Sequence, residues 1–167
     1  MPIKHILVPV DFSKDSLHAL AYAADFAKLF GSDLSILHIV EPIYYATAAD
    51  MYVTSPNVTL LLDEQRRIAT RQLARLEADL EKKGHRVRTL LKAGSPAQLI
   101  IDTAKRSRAE LIIMATHGRT GLAHMLMGSV AEKVVRGAAC PVLTVRHGAA
   151  PGRRGHKRTA RTRAKRR

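Results

Sequence analysis

Residues 3–10 read "IKHILVPV". Five of these eight are Ile, Leu or Val, and from Ile6 to Val10 no polar residue interrupts the run. A strand with one solvated face alternates apolar and polar side chains, whereas a strand covered on both faces reads as a continuous apolar run. This stretch is the second kind. It predicts a sheet with helices packed on both of its faces, and Pro9 marks where the strand ends.

Working outward, Leu17, Leu20, Ala21, Ala24 and Ala27 follow at helical spacing, with Ser13 placed to cap the helix and Gly31 to stop it. "DLSILHIV" (33–40) is a second strand. Residues 41–58 hold two prolines and show no period, which predicts a long loop. Leu62, Ala69, Leu73, Leu76 and Leu80 form the next helical stripe, closed by Gly84. "RVRTLLKA" (86–93) is a third strand. Ser95 and Pro96 then begin a helix with Ala97, Ile100, Ile101 and Ala104 inward. "ELIIMA" (110–115) and "PVLTVR" (141–146) are the fourth and fifth strands.

Strands alternating with helices imply right-handed crossovers and a parallel sheet. The fold class is therefore α/β: a single doubly wound domain with a five-stranded parallel sheet and helices on both faces. In such a sheet ligands bind beyond the carboxyl ends of the strands, where the strand order reverses. "VPVDFS" after the first strand, "HIVEP" after the second and "MATHGRTG" after the fourth should converge there.

The 167 residues suffice for one domain with a substantial core, and 46% of them are hydrophobic. No secretory signal is legible at the N-terminus, and no run reaches the roughly eighteen apolar residues of a membrane span. Cys140 is the single cysteine, so an internal disulfide is excluded. A cytoplasmic location is the expectation. The formal charge of +14 is unevenly spread. Residues 147–167 contain nine Lys or Arg and no acid, against 19 bases and 14 acids in residues 1–146. The expected division is a domain at 1–146 and a disordered basic tail at 147–167.

Residues 114–135, "MATHGRTGLAHMLMGSVAEKVV", place three glycines after the fourth strand. Ser129 and Glu132 match S-x-x-E, a capping box that makes Ser129 the N-cap of a helix bearing Ala131, Val134, Val135 and Ala138. That accounts for Ser129 without a ligand but leaves Gly118 and Gly128 unexplained. A helix start also offers amides and partial positive charge to a phosphate, with Arg119 as a charged donor. The spacing is neither G-x-x-x-x-G-K-[ST] nor G-x-G-x-x-G.

"ILVPVDFS", "ATHGRTGL" and "MGSVAEKVVRGAACPVLTVR" resemble the universal stress protein family, over about residues 1–146. Nucleotide-binding members of that family carry G-x2-G-x9-G-[ST]. Here Gly118, nine intervening residues and Gly128-Ser129 match, while Ala115 stands at the first glycine. The resemblance implies an adenine nucleotide alpha hydrolase-like sheet, a homodimer through the last strand, and an ATP pocket, with Mg²⁺ accompanying the nucleotide. By position, Pro9, Val10 and Asp11 would line the adenosine side, Asp11 accepting from ribose or base. Val40 would pack on adenine, and Met114 and Ala115 would touch the nucleoside. Gly118, Arg119, Gly128, Ser129 and Val130 would hold the phosphates. At Ala115, glycine would serve close approach or a positive φ, and the end of a strand favours a negative one.

The other chemistry-bearing residues do not assemble a catalytic or metal pattern. None of the eight histidines lies in H-E-x-x-H. His5 and His38 fall in strands and read as structural, His117 falls in the loop, and Cys140 reads as a packed small residue. The resulting expectation is a stress-response protein that binds ATP as a switch or sensor, with slow hydrolysis at most. The alternatives are a dimeric scaffold without nucleotide, and a protein that engages nucleic acid non-specifically through residues 153–167.

Overall fold

The computed structural model describes residues 3–41, 56–118 and 127–146. Five strands alternate with four helices: β1 (His5–Pro9), α1 (Lys14–Phe30), β2 (Asp33–Val40), α2 (Pro56–Lys82), β3 (Val87–Ala93), α3 (Pro96–Arg106), β4 (Leu111–Ala115), α4 (Ser129–Gly137) and β5 (Val142–Val145). All pairings are parallel, in the order β3-β2-β1-β4-β5. β1 sits at the centre, and Ile6, Leu7 and Val8 have no exposed surface. The opening run is thus buried on both faces, as its lack of alternation demands.

The order also dictates where the helices lie. The chain steps one way from β1 to β3 and the other way from β3 to β5, so right-handed crossovers put α1 and α2 on one face and α3 and α4 on the other. The core divides accordingly. Ile6, Val8, Leu34, Ile36 and Ile113 pack with α1 and α2, whereas Leu7, Leu37 and Ile112 pack with Ala97, Ile100 and Ala104 of α3 and Ala131 and Val134 of α4.

α1 starts as its sequence requires: the Ser13 hydroxyl accepts from the Ser16 amide, and Gly31 ends the helix at φ 68°. Its inward face holds Ala19 and Ala23 in addition to Leu20, Ala24 and Ala27, while Leu17 and Ala21 point to solvent. α2 begins at Pro56, so the expected loop is shorter than 41–58; the remainder of that loop, 42–55, lies outside the described residues. Ser95 occupies the N-cap of α3, but its side chain makes no cap bond.

The capping box at Ser129 requires correction. Gly128 is the N-cap of α4, and Ser129 is the first helical residue. The Gly128 amide donates to the Thr116 carbonyl at 2.8 Å, and a Cβ on Gly128 would stand 3.2 Å from that oxygen. This close backbone approach fixes the start of the helix one residue early. Glu132 consequently has no Ser129 to reciprocate and accepts instead from Arg136, at 3.1 Å. Val135, expected inward, is exposed.

Candidate functional site

The carboxyl end of β1 turns sharply. Phe12 adopts φ 63°, a left-handed conformation that costs a side-chain-bearing residue about 1–2 kcal/mol. The turn is closed by Asp11, whose Oδ1 accepts from the Ser13 amide at 3.0 Å and from the Ser13 hydroxyl at 2.5 Å. One hydroxyl therefore orients the Asp11 carboxylate and caps α1 together. The other carboxylate oxygen faces Gly118, where an added Cβ would lie only 2.7 Å away. Neither Gly118 nor Gly128 has a positive φ; both are glycines because another group occupies the space of a side chain.

β4 leads into the same place. The Thr116 amide donates to the Val145 carbonyl at 3.0 Å, and the Thr116 hydroxyl and His117 Nδ1 hydrogen-bond at 3.0 Å. α4 then starts beside the ends of β1 and β4, its first residues lining the same cavity. Glu132 is the first residue whose amide reaches the Gly128 carbonyl, at 3.0 Å. The amides of Ser129, Val130 and Ala131 precede it and have no intrahelical acceptor, leaving donors and partial positive charge at that end. Because Gly128 is the cap, the Ser129 hydroxyl is not spent on the helix.

Between these elements lies a cavity of about 550 Å³. It sits where the strand order reverses, as the topology requires. Pro9, Val10, Asp11, Val40, Met114, Ala115, Gly118, Gly128, Ser129 and Val130 all line it. Arg119 lies outside the described residues. Ala115 is buried and keeps a negative φ, so the site does not require glycine's conformational freedom there. What remains is a single methyl in a packed wall.

Sequence reasoning missed the far wall. Gln65, Ile68, Ala69 and Gln72 of α2 line the cavity opposite α4. α2 has 27 residues, about 40 Å, against about 26 Å for the eight residues of β2. Its first turns project past the carboxyl edge of the sheet and become a wall. His38, read as structural, is both structural and lining: its Nδ1–H donates to the Val10 carbonyl at 2.7 Å, and its ring lies 4.4 Å from that of Phe12. His5 is at the opposite edge of the sheet, bonded to the Ser107 carbonyl and to Ser35 Oγ. Burial pushes the Cys140 thiol up from its ordinary range, which disfavours the reactive thiolate. Among the described residues no group of three or more His, Cys, Asp and Glu could hold a metal ion, and no helix is long and apolar enough to cross a membrane.

Fold and site together define a class: a doubly wound α/β domain with a cavity at its switch point, bounded by a glycine cap and a helix start. The chain belongs to the universal stress protein family, whose model matches residues 2–146. Universal stress protein MJ0531 of Methanocaldococcus jannaschii is 34% identical over 145 residues, covering 86% of this chain and 82% of that one. Among solved structures, universal stress protein UspA from Lactobacillus plantarum superposes with a TM-score of 0.79 at 26% identity, over 87% of this chain and 99% of that one. Protein MJ0577 does so with a TM-score of 0.77 at 27% identity, over 90% and 100%. The fold is also shared with a universal stress protein in complex with cAMP, at 21% identity and a TM-score of 0.64, over 87% of this chain and 98% of that one.

 A structure from Archaeoglobus fulgidus in complex with dAMP shares the fold at 23% identity and a TM-score of 0.59, over 86% and 98%.

Proposed function

We propose that this domain binds ATP in the cavity at its switch point and acts as a nucleotide-dependent switch or sensor in a stress response. One observation carries the reading: the cavity joins an anion-binding end to an apolar end. At the first, the α4 amides and the Ser129 hydroxyl stand at the cavity with Gly118 and Gly128 in its lining, and a helix start of this kind offers donors to phosphates. At the second, Val40, Ile68 and Ala69 offer an apolar wall to a base. Asp11, oriented by Ser13, is an acceptor for a ribose hydroxyl between them. The volume of about 550 Å³ suits a ligand of this size. Fold relatives solved with cAMP and dAMP support an adenine nucleotide as the ligand class.

Mg²⁺ fits as a companion of the phosphates, which would supply its ligands together with water. The protein contributes binding and orientation. Hydrolysis needs a group that positions water at the terminal phosphate; the described part of the loop offers Thr116, His117 and Ser129 and no carboxylate of its own, and of the two carboxylates in the lining Asp11 is held by Ser13 and assigned to the ribose, while Glu41 stands at the end of β2. Turnover is therefore expected to stay below about 1 s⁻¹, the low end of ordinary enzymes. Titration calorimetry of the full chain with ATP and Mg²⁺ tests the reading. Saturable binding supports it, and no heat and no thermal shift at millimolar ATP would reject it.

A further inference from the structure

Phe12 holds its left-handed backbone, φ 63°, in the turn that carries Asp11 from β1 into α1. Glycine adopts this conformation without strain, so a phenylalanine there needs compensating contacts. Its ring makes two kinds. It is half-buried against the core that β1, β2 and α1 share. It also lies 4.4 Å from the His38 ring, tilted by 41°. His38 is buried, and its Nδ1–H donates to the Val10 carbonyl at 2.7 Å. The Val10 amide in turn donates to the Leu37 carbonyl at 2.8 Å. Asp11 therefore sits between two held points, Val10 before it and Ser13, the cap of α1, after it. Val10, Asp11 and His38 line the cavity, whereas Phe12 stands behind them. Backbone strain of this kind persists only where its surroundings over-determine it, and it gathers at ligand clamps.

We propose that Phe12 is a positioning residue for the ligand: its ring, set against His38, fixes the turn so that the Asp11 carboxylate is in place before a nucleotide enters. This rests on the nucleotide reading of the cavity, in which Asp11 accepts from a ribose hydroxyl. An acceptor already held in its bound geometry loses less freedom on binding than one on a loose turn. Burial alone would give Phe12 a different signature. Loss of the ring would then lower stability and weaken every nucleotide alike. A positioning role acts through Asp11, so it changes the affinity only for ligands that carry the hydroxyl Asp11 reads.

Calorimetry of the full-length protein with ATP and with 2′,3′-dideoxyATP, which lacks both ribose hydroxyls, tests the proposal on wild type, Phe12→Leu, Phe12→Gly and Phe12→Tyr. Wild type is expected to prefer ATP about tenfold, the size of one hydrogen bond to a charged group. Phe12→Leu keeps an apolar side chain but loses the ring, and should bring the ratio toward one by weakening ATP alone. Phe12→Gly removes the strain as well and should lose the preference too, although the turn is then relaxed. Phe12→Tyr retains the ring and should bind both ligands as wild type does. Urea denaturation confirms that each variant is folded, and Phe12→Leu with Phe12→Tyr carries the test if Phe12→Gly does not fold. An unchanged ratio in Phe12→Leu, or a ratio near one in wild type, overturns this proposal and leaves the nucleotide reading standing. No binding of either nucleotide by wild type overturns both.

Discussion

Gly118 and Gly128 stand beside the same cavity for different reasons, and substitution separates them. At Gly118 a Cβ would press on the Asp11 carboxylate at 2.7 Å, the end of a side chain that can move. Gly118→Ala is therefore expected to leave stability within about 0.5 kcal/mol of wild type, as for an exposed position, while weakening ATP by displacing Asp11. At Gly128 the obstacle is the Thr116 carbonyl, a backbone oxygen at 3.2 Å that belongs to the end of β4. Gly128→Val should destabilise the fold by about 1–3 kcal/mol through overpacking and abolish the response to ATP. Urea denaturation with and without nucleotide reads both. In wild type, ATP at 100 times its Kd adds about 2.7 kcal/mol, a rise of several degrees at roughly 2–4 °C per kcal/mol. A Gly128→Val protein that keeps the full thermal shift would remove the helix start from the phosphate site. The pair also marks what the sequence shows of single residues. Both glycines were visible as unexplained, but that one faces a carboxylate and the other a carbonyl depends on contacts from β1 and β4.

The two edges of the sheet differ in chemistry. β3 carries Arg88 and Lys92 and is preceded by Arg86, and charged residues along an edge discourage pairing with a second chain. β5 is four residues long, without charge, and half-buried at Val142, Leu143 and Thr144. A homodimer formed by two β5 edges about a two-fold axis is the expected assembly. Val142→Lys should shift the protein toward monomer in light scattering, with ATP binding retained because Val142 does not line the cavity. A wild type that scatters as a monomer at micromolar concentration would refute the dimer. The two central strands β1 and β4 were legible because burial on both faces leaves an uninterrupted apolar run. Helix beginnings were less so. Gly and Ser are both accepted at an N-cap, and only the Gly128–Thr116 contact decides the frame of α4. The α2 wall was hidden for another reason: Gln65 and Gln72 sit among Arg66, Arg67 and Arg71 and read as part of a solvated face.

Charge is distributed unequally over the whole chain, and this separates two activities. Residues 153–167 hold nine Lys or Arg with no acid and no aromatic residue. Without aromatic side chains there is no platform for base stacking, so any nucleic-acid binding by this segment should be electrostatic and indifferent to sequence. A membrane surface is the poorer partner, since the segment also lacks an apolar anchor. Each engaged phosphate contributes about −0.9 to the slope of log K against log salt on duplex DNA. Binding should therefore fall steeply between about 50 and 200 mM salt. The cavity, in contrast, is lined by residues 9 to 131. Truncation after Arg146 is expected to abolish DNA binding and to leave the ATP-induced thermal shift intact. Fluorescence anisotropy with a labelled duplex and a melting curve with ATP measure the two properties on the same pair of proteins. Equal DNA binding by the truncated and full-length chains would place the contact in the domain and reduce the segment to a solvated extension. Loss of the thermal shift on truncation would instead tie the basic segment to the nucleotide site.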